Sequence, residues 1–381
     1  MKNYSRNSGR IVLEVDPNLK LNLYDTLAQS GDTMKEWFVR EAAHYIADFK
    51  HSMDSTPTLP STPERIITTK KQSKSSTFKV ISLFSGCGGL DLGFRGDFEI
   101  FGTKYPKNDF DILWANDLNR AACATYVKNF GHDIQCGNIW DMMERVPKSA
   151  DVVIGGFPCQ DISVNGKRAG ANGARSGLYK AMVEIIDQVK PKVFVAENVK
   201  GLLMKYNQQS LEQVLTDFGK LGYNINYQLY NAADYGVPQT RERVFIVGTR
   251  HDVREFTPPK PVRDAATWMT AKEAIGDLES EPKNLNNNHI WSLANVSGEQ
   301  GNRRLKADRP GYTMRAECHG NIQFHYSEPR RISMREAARF QSFPDKFIFE
   351  GGLRETERQV GNAVPPILGW HISKAVRECL R

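Results

Sequence analysis

The sequence predicts an α/β protein whose main body is a doubly wound, mostly parallel sheet. From Phe78 a unit of apolar run, Gly-rich turn and helical stretch repeats, with runs at 80–84, 112–117, 151–156, 193–198 and 243–248. Groups able to do chemistry stand at or just past the ends of these runs, as Asp117, Cys159 and Glu197. In an open α/β sheet that edge is where ligands bind. After Gly248 the regularity fails, and residues 253–330, with Pro pairs and the run Asn286-Asn287-Asn288, read as a smaller inserted domain.

Composition bounds the rest. With 381 residues and 40% apolar content the chain has room for two or three domains and an enzyme-sized core. Its cysteines, at 87, 123, 136, 159, 318 and 379, form no CxxC pair, so neither a zinc site nor a disulfide framework is suggested. No apolar segment follows a basic start and no run of about 18 apolar residues occurs, so the expectation is a cytoplasmic protein without a membrane span. The net charge of +7 fits a polyanionic partner.

Along the chain, residues 1–50 form a head module. Residues 10–15 alternate as a short strand, with Ile11, Leu13 and Val15 inward and Arg10, Val12 and Glu14 outward. Asp16-Pro17 then starts a helix to about Ser30, and Gly31 stops it. Thr33-Met34-Lys35-Glu36 is a capping box that launches a second helix, with Met34, Trp37, Phe38, Ala42, Tyr45 and Ile46 on one face. Strand, helix, turn and helix in this compass resemble the ribbon-helix-helix repressors. That resemblance implies a homodimer whose paired strands lie in a DNA groove. Residues 51–76, rich in Ser, Thr, Pro and Lys, read as a linker to the main body at 77–252.

The first strand of that body runs into Phe84-Ser85-Gly86-Cys87-Gly88-Gly89-Leu90, where glycines let backbone approach a ligand and a helix start favours negative groups. Neither a phosphate loop nor GxGxxG is present. Asp117, ending the second strand, stands where nucleoside-binding sheets hold ribose hydroxyls, which points to a ribose-bearing cofactor. Cys159 follows the next strand, and a thiol is the natural nucleophile for an electron-poor ring carbon. Glu197 puts a carboxylate on the same sheet edge. Arg241 and Arg243, at i and i+2, point to one side of an extended segment. The segment 365–380 carries apolar residues at helical spacing and is expected to pack back on the sheet.

Phe84–Gly89, Gly155–Gln160, Glu197–Val199, Gln239–Arg243 and Arg358–Pro366 stand in the order and approximate spacing of a known family, over residues 78–381. In them the chain resembles the cytosine-5 DNA methyltransferases of restriction-modification systems. The resemblance implies a Rossmann-like fold and methyl transfer from S-adenosylmethionine to carbon 5 of a flipped-out cytosine in double-stranded DNA. A restriction endonuclease is then the functional partner. By the same resemblance Cys159 adds to carbon 6, Glu197 donates to ring nitrogen 3 and Arg243 holds the carbonyl oxygen. Arg241 lies close to the thiolate and lowers its pKa.

For the cofactor, the resemblance places Phe84, with the turn Ser85–Leu90, against the adenosine part and Asp117 on the ribose. Pro158 falls near the sulfonium, and Asn362 and Val364 line the pocket. The family's adenine-reading aspartate is replaced by Asn138, beside Ile139, and its stacking aromatic by Leu118. The loop from Gln160 to Tyr179, with Gly166, Gly170, Gly173 and Gly177, is expected to close over the base, Ser163, Lys167 and Arg175 meeting phosphates. In the inserted domain Arg303, Arg304 and Thr313 suit backbone contacts, whereas Arg315, His319, Asn321 and Gln323 suit base edges. Cys318, His319 and His325 lack a fourth ligand for zinc. Residues 331–381 return the chain to the catalytic domain.

Two other readings compete with this one. RNA methyltransferases on the same fold carry a Cys-Phe-Thr tripeptide and a very short specificity region, and this chain has neither. A non-catalytic DNA-binding regulator has little reason to keep Cys159, Glu197, Arg241 and Arg243 together.

Overall fold

Seven strands form one twisted sheet in the order β5-β4-β1-β6-β7-β10-β8, where β1 is Phe78–Leu83, β4 Phe110–Asp117 and β5 Gln135–Cys136. The others are β6 (Val152–Gly156), β7 (Val193–Val199), β8 (Tyr223–Asn231) and β10 (Glu242–Arg250), while β2 (Phe98–Ile100) and β3 (Thr103–Tyr105) form a separate antiparallel pair. The computed structural model describes residues 77–157, 177–292, 303–316 and 323–381, and from the head residues 23, 24, 27, 33, 34 and 36–39. Met1–Gln72 and Ser73–Arg381 are separate compact units.

β1, β6 and β7 are near-continuous Val/Ile/Leu runs buried on both faces, as strands at the centre of a parallel sheet must be. The chain leaves β1 to one side through β4 and returns to its other side as β6, which creates a topological switch point at the carboxyl end of β1. The expectation of parallel strands fails at one end. β10 runs antiparallel to both β7 and β8, so the sheet is mixed. Gly248 permits this pairing, because a Cβ there would stand 2.0 Å from the Phe194 ring. The strand β8 was not anticipated: its alternating Tyr, Asn and Gln residues lack the apolar run of a central strand, since it lies at the sheet edge.

Helices α1 (Gly89–Arg95), α2 (Arg120–Phe130), α3 (Leu178–Val189) and α4 (Gln208–Gly219) cover the sheet. Asp91 of α1 is fully buried and accepts from Ser82 Oγ at 3.0 Å and Tyr126 Oη at 2.9 Å, tying β1, α1 and α2 together. Burial pushes its carboxyl up to about 6, against the pull of both hydroxyls. The C-terminal helix, α8 (Pro366–Cys379), packs first on α1 rather than on the sheet. Gly93 and Gly369 meet there so closely that a Cβ on Gly93 would fall 2.6 Å from Gly369 carbon.

The described part of the inserted segment shares the core of the main body. Phe256, Ala271, Ala274, Ile275, Leu305 and Met314 share one apolar cluster with Val80, Leu90 and Val364. Its elements are short: α5 (Ala271–Ile275) and a two-residue strand β11 (Gly311–Tyr312) parallel to β9 (Gln239–Thr240). Two buried arginines nearby, Arg330 and Arg335, serve the fold. Arg330 is bidentate to buried Glu336, and Arg335 donates to the Asn287, Pro344 and Phe347 carbonyls. Glu336 also completes the capping box with Ser333 that starts α6 (Met334–Phe340).

In the head, the capping box is formed as its spacing predicts. Thr33 N donates to Glu36 Oε2 at 2.9 Å, and Glu36 N to Thr33 Oγ1 at 3.3 Å. Met34, Trp37 and Phe38 are half-buried, while Glu36 and Val39 are exposed, as an amphipathic face requires. The predicted strand with Arg10, Val12 and Glu14 lies outside the described residues.

Candidate active site and nucleic-acid interface

At the switch point lies a cavity of about 790 Å³. Its floor is the turn after β1, where Phe84, Ser85, Gly86, Cys87, Gly89 and Leu90 line the space. Phe84 holds a left-handed φ of 53°, strained for a residue with a side chain and placed against the cavity. Gly88 does not line it, because the position is packed: a Cβ would meet the Phe130 ring at 2.3 Å.

Asp117 closes one side. Its carboxylate accepts from Gly86 N at 2.8 Å and from Asn119 N at 2.7 Å, so it pins the turn and the start of α2. Burial raises its pKa against those amides. Opposite stand Gly361, Asn362, Ala363 and Val364, at the end of α7 (Leu353–Asn362). Gly89 permits this closure, since a Cβ there would lie 2.3 Å from the Val364 carbonyl oxygen.

On the third side Glu197 and Arg243 form an ion pair, Oε1 to Nε 2.9 Å, in which each side chain is about 90% buried. Burial raises the Glu197 pKa, and Arg243 and then Arg241 oppose it. Gly156 makes room for the carboxyl, because a Cβ there would sit 2.9 Å from Glu197 Oε2. Asn198 donates from Nδ2 to the Phe157 carbonyl at 3.0 Å, fixing the strand end from which Pro158 and Cys159 depart.

Asn198 was missed by sequence reasoning, although its place beside Glu197 was a signal. Gln239 and Gln341, both fully buried, were missed too. Gln239 accepts from Met314 N at 2.6 Å and donates to Phe340 O and Gln341 Oε1, both at 2.8 Å, stitching the 314 segment to α6.

Several expectations need correction. Arg241 is not aimed into the cavity. Its guanidinium donates to the carbonyls of Met314 at 2.7 Å and of Gly361 and Ala363 at 2.9 Å, so it ties two cavity walls from behind. We therefore expect Arg241→Ala to destabilise the protein by about 3 kcal/mol or more, since buried carbonyls lose charge-assisted donors. Urea unfolding measures this, and an unchanged midpoint would refute the assignment.

Asn138 caps a short 3-10 helix, accepting from Trp140 N at 3.2 Å, and Ile139 is buried in the core beneath. Neither lines the cavity, and Leu118, 70% exposed, is also outside it. Among the residues expected on DNA, Gln323 is buried and holds Tyr312 through its amide and carbonyl, at 3.2 and 2.7 Å. Thr313 donates inward to the Thr240 carbonyl at 2.7 Å, and Arg304 to the carbonyls of His325 and Glu328. These donors answer backbone acceptors that the loop-rich segment leaves without a ladder. His325 Nδ1 likewise accepts from the Ser327 and Glu328 amides. Arg315 is exposed on the cavity wall, and Arg303 is half-buried. Pro158, Cys159, Gln160, Ser163, Lys167, Arg175, His319 and Asn321 lie outside the described residues.

A mixed, mostly parallel α/β sheet with its cavity at the switch point defines a protein of the doubly wound class, whose ligand sites lie at that edge. The sequence profile of the C-5 cytosine-specific DNA methylases matches residues 78–312 and 292–378. The chain belongs to that family, the DNA (cytosine-5-)-methyltransferases. It is 38% identical over 331 residues to the type II methyltransferase M.NgoFVII of Neisseria gonorrhoeae, covering 77% of this chain and 85% of the relative. It is 36% identical to M.MthTI of Methanothermobacter thermautotrophicus, covering 79% and 97%.

Among solved structures, Entamoeba histolytica EhMeth aligns with a TM-score of 0.59 at 14% identity, covering 80% of this chain and 99% of that one. Schizosaccharomyces pombe Dnmt2 methyltransferase aligns at 0.56 and 16%, covering 79% and 98%. These two likenesses show the fold. Family membership implies S-adenosylmethionine as methyl donor.

Proposed function

We propose that this enzyme transfers a methyl group to carbon 5 of one flipped-out cytosine in a defined sequence of double-stranded DNA, protecting that DNA from a partner endonuclease. The Glu197–Arg243 pair carries the reading, because it is buried on the wall of the cavity that also holds Asp117 and the glycine turn. Type II relatives support the protective role.

The residues present fit S-adenosylmethionine. The cavity is roomy enough for a nucleoside with a side chain, its floor brings backbone close through Gly86 and Gly89, and Asp117 is a carboxylate acceptor for ribose hydroxyls. Phe84, Asn362 and Val364 would hold the rest of it. When bound, it supplies the methyl group.

The chain's own groups prepare the cytosine. The Cys159 thiolate adds to carbon 6, and electron density moves toward carbon 5. Glu197, its carboxyl kept protonated to higher pH by burial, donates to ring nitrogen 3 as that atom gains charge. Arg243 holds Glu197 in place and offers its remaining donors to the carbonyl oxygen. After transfer a base removes the carbon 5 proton, and the thiolate departs. Arg315, Arg303, Lys167 and Arg175 would meet DNA, with His319 and Asn321 at base edges. The head is proposed to pair with a second copy and bind an operator, on the sequence pattern of residues 10–46.

Bisulfite sequencing of DNA from cells expressing the protein tests this. Protected cytosines in one short context are expected. Conversion of every cytosine, as in cells without the protein, would overturn the proposal.

A further inference from the structure

We propose that Glu355 is a positioning residue for cofactor binding, latching the Asp117 side of the cavity to α7 through Asn119 and setting Arg358 on the cavity wall. The inference rests on the reading of this cavity as the S-adenosylmethionine site.

The geometry forms a continuous chain. Both oxygens of Asp117 are held by main-chain amides, Gly86 N and Asn119 N, so the aim of the carboxylate depends on where the 117–119 turn sits. The Asn119 side chain is engaged at both ends. Its Oδ1 accepts from Ala122 N at 2.9 Å to cap α2, and its Nδ2 donates to Glu355 Oε2 at 3.2 Å. Glu355 Oε1 lies 3.1 Å from Arg358 Nη1, one turn further along α7. Gly86, Asp117, Asn119 and Arg358 all line the cavity, whereas Glu355 stands behind it. One carboxylate therefore links the wall carrying Asp117 to the wall carrying Asn362.

A purely structural role is disfavoured by the rest of the α2 seam, which is closed without Glu355. Asn129 exchanges bonds with the Ile348 backbone at 2.8 and 2.9 Å, and Thr125 Oγ1 accepts from Glu350 N at 2.8 Å. Gly351, with φ 100°, lays the chain against Ala121 just before α7 begins. Those contacts keep α7 docked when Glu355 is cut back. What the cut releases is the Asn119 amide, and with it the aim of Asp117.

Isothermal titration of the full-length protein with S-adenosylmethionine, and separately with S-adenosylhomocysteine, tests the latch. Glu355→Ala is expected to raise both dissociation constants about tenfold, the loss expected for one charge-assisted bond. The KM for cofactor should rise in parallel, while kcat at saturation falls by less than about twofold. The thermal midpoint should move by less than about 3 °C. Glu355→Gln keeps an acceptor for Asn119 and should restore most of the affinity. On an Asn119→Ser background, where the cap survives but the reach to position 355 is lost, Glu355→Ala should add almost nothing. Wild-type affinity in Glu355→Ala, or full additivity with Asn119→Ser, would overturn the latch alone. A wild-type protein that bound neither ligand would overturn the cavity reading beneath it.

Discussion

Replacement of Cys159 by serine is expected to abolish methyl transfer, by about 10⁴-fold or more, while DNA and cofactor binding persist. The substitution removes almost no volume but replaces a thiol, partly ionised near neutral pH, by a hydroxyl that is not. Serine therefore cannot add to carbon 6 at a useful rate. The strand end that delivers residue 159 does not depend on the thiol, because Asn198 holds the Phe157 carbonyl. A companion experiment isolates the covalent step. DNA with 5-fluorocytosine at the target should trap the wild-type protein in the presence of cofactor, since fluorine cannot leave as a proton does. Denaturing gels report the adduct, and its absence from the wild type would refute nucleophilic addition.

Glu197→Gln is expected to lower kcat by about 10²–10⁴, with cofactor affinity nearly unchanged. The amide has the shape of the acid but gives a weak donor to ring nitrogen 3, and it removes the carboxyl whose Oε1 stands 2.9 Å from Arg243 Nε. The sign of the pH effect follows from the raised pKa of Glu197. A group that acts as an acid works below its pKa, so activity through this residue is lost as pH rises past that value. The variant should lack that alkaline decline. Single-turnover rates across pH measure it, and an identical decline in both proteins would assign the limb to another group.

Much of this protein is legible one segment at a time. The runs at 80–83, 152–156 and 193–198 are strands because they open on branched and aromatic residues that suit burial on both faces of a sheet. Thr33 with Glu36, read as a capping box, forms one, because that motif closes within four residues. Asp117 and Glu197 both reach the cavity, since strand ends on one edge of a doubly wound sheet converge there. β8 escaped notice because an edge strand needs little apolar content, and its antiparallel pairing reversed the expected direction of β10.

The division between sequence and tertiary structure is sharpest among the arginines and amides. Sequence alone determined which chemistry is present: a thiol, a carboxyl and two guanidiniums at strand ends, with glycines wherever backbone must come close. It could not say what each donor would meet. Arg241 and Arg243 are two residues apart, yet one is spent on carbonyls 73 to 122 positions away and the other faces Glu197. Gln323 was equally suited to a base edge and to the Tyr312 backbone, and the fold assigned it the backbone. The physical reason is that a buried carbonyl without a partner costs more than a surface donor gains. Donors are therefore assigned by which orphan acceptors the packed chain brings near them, a non-local property that no local pattern records.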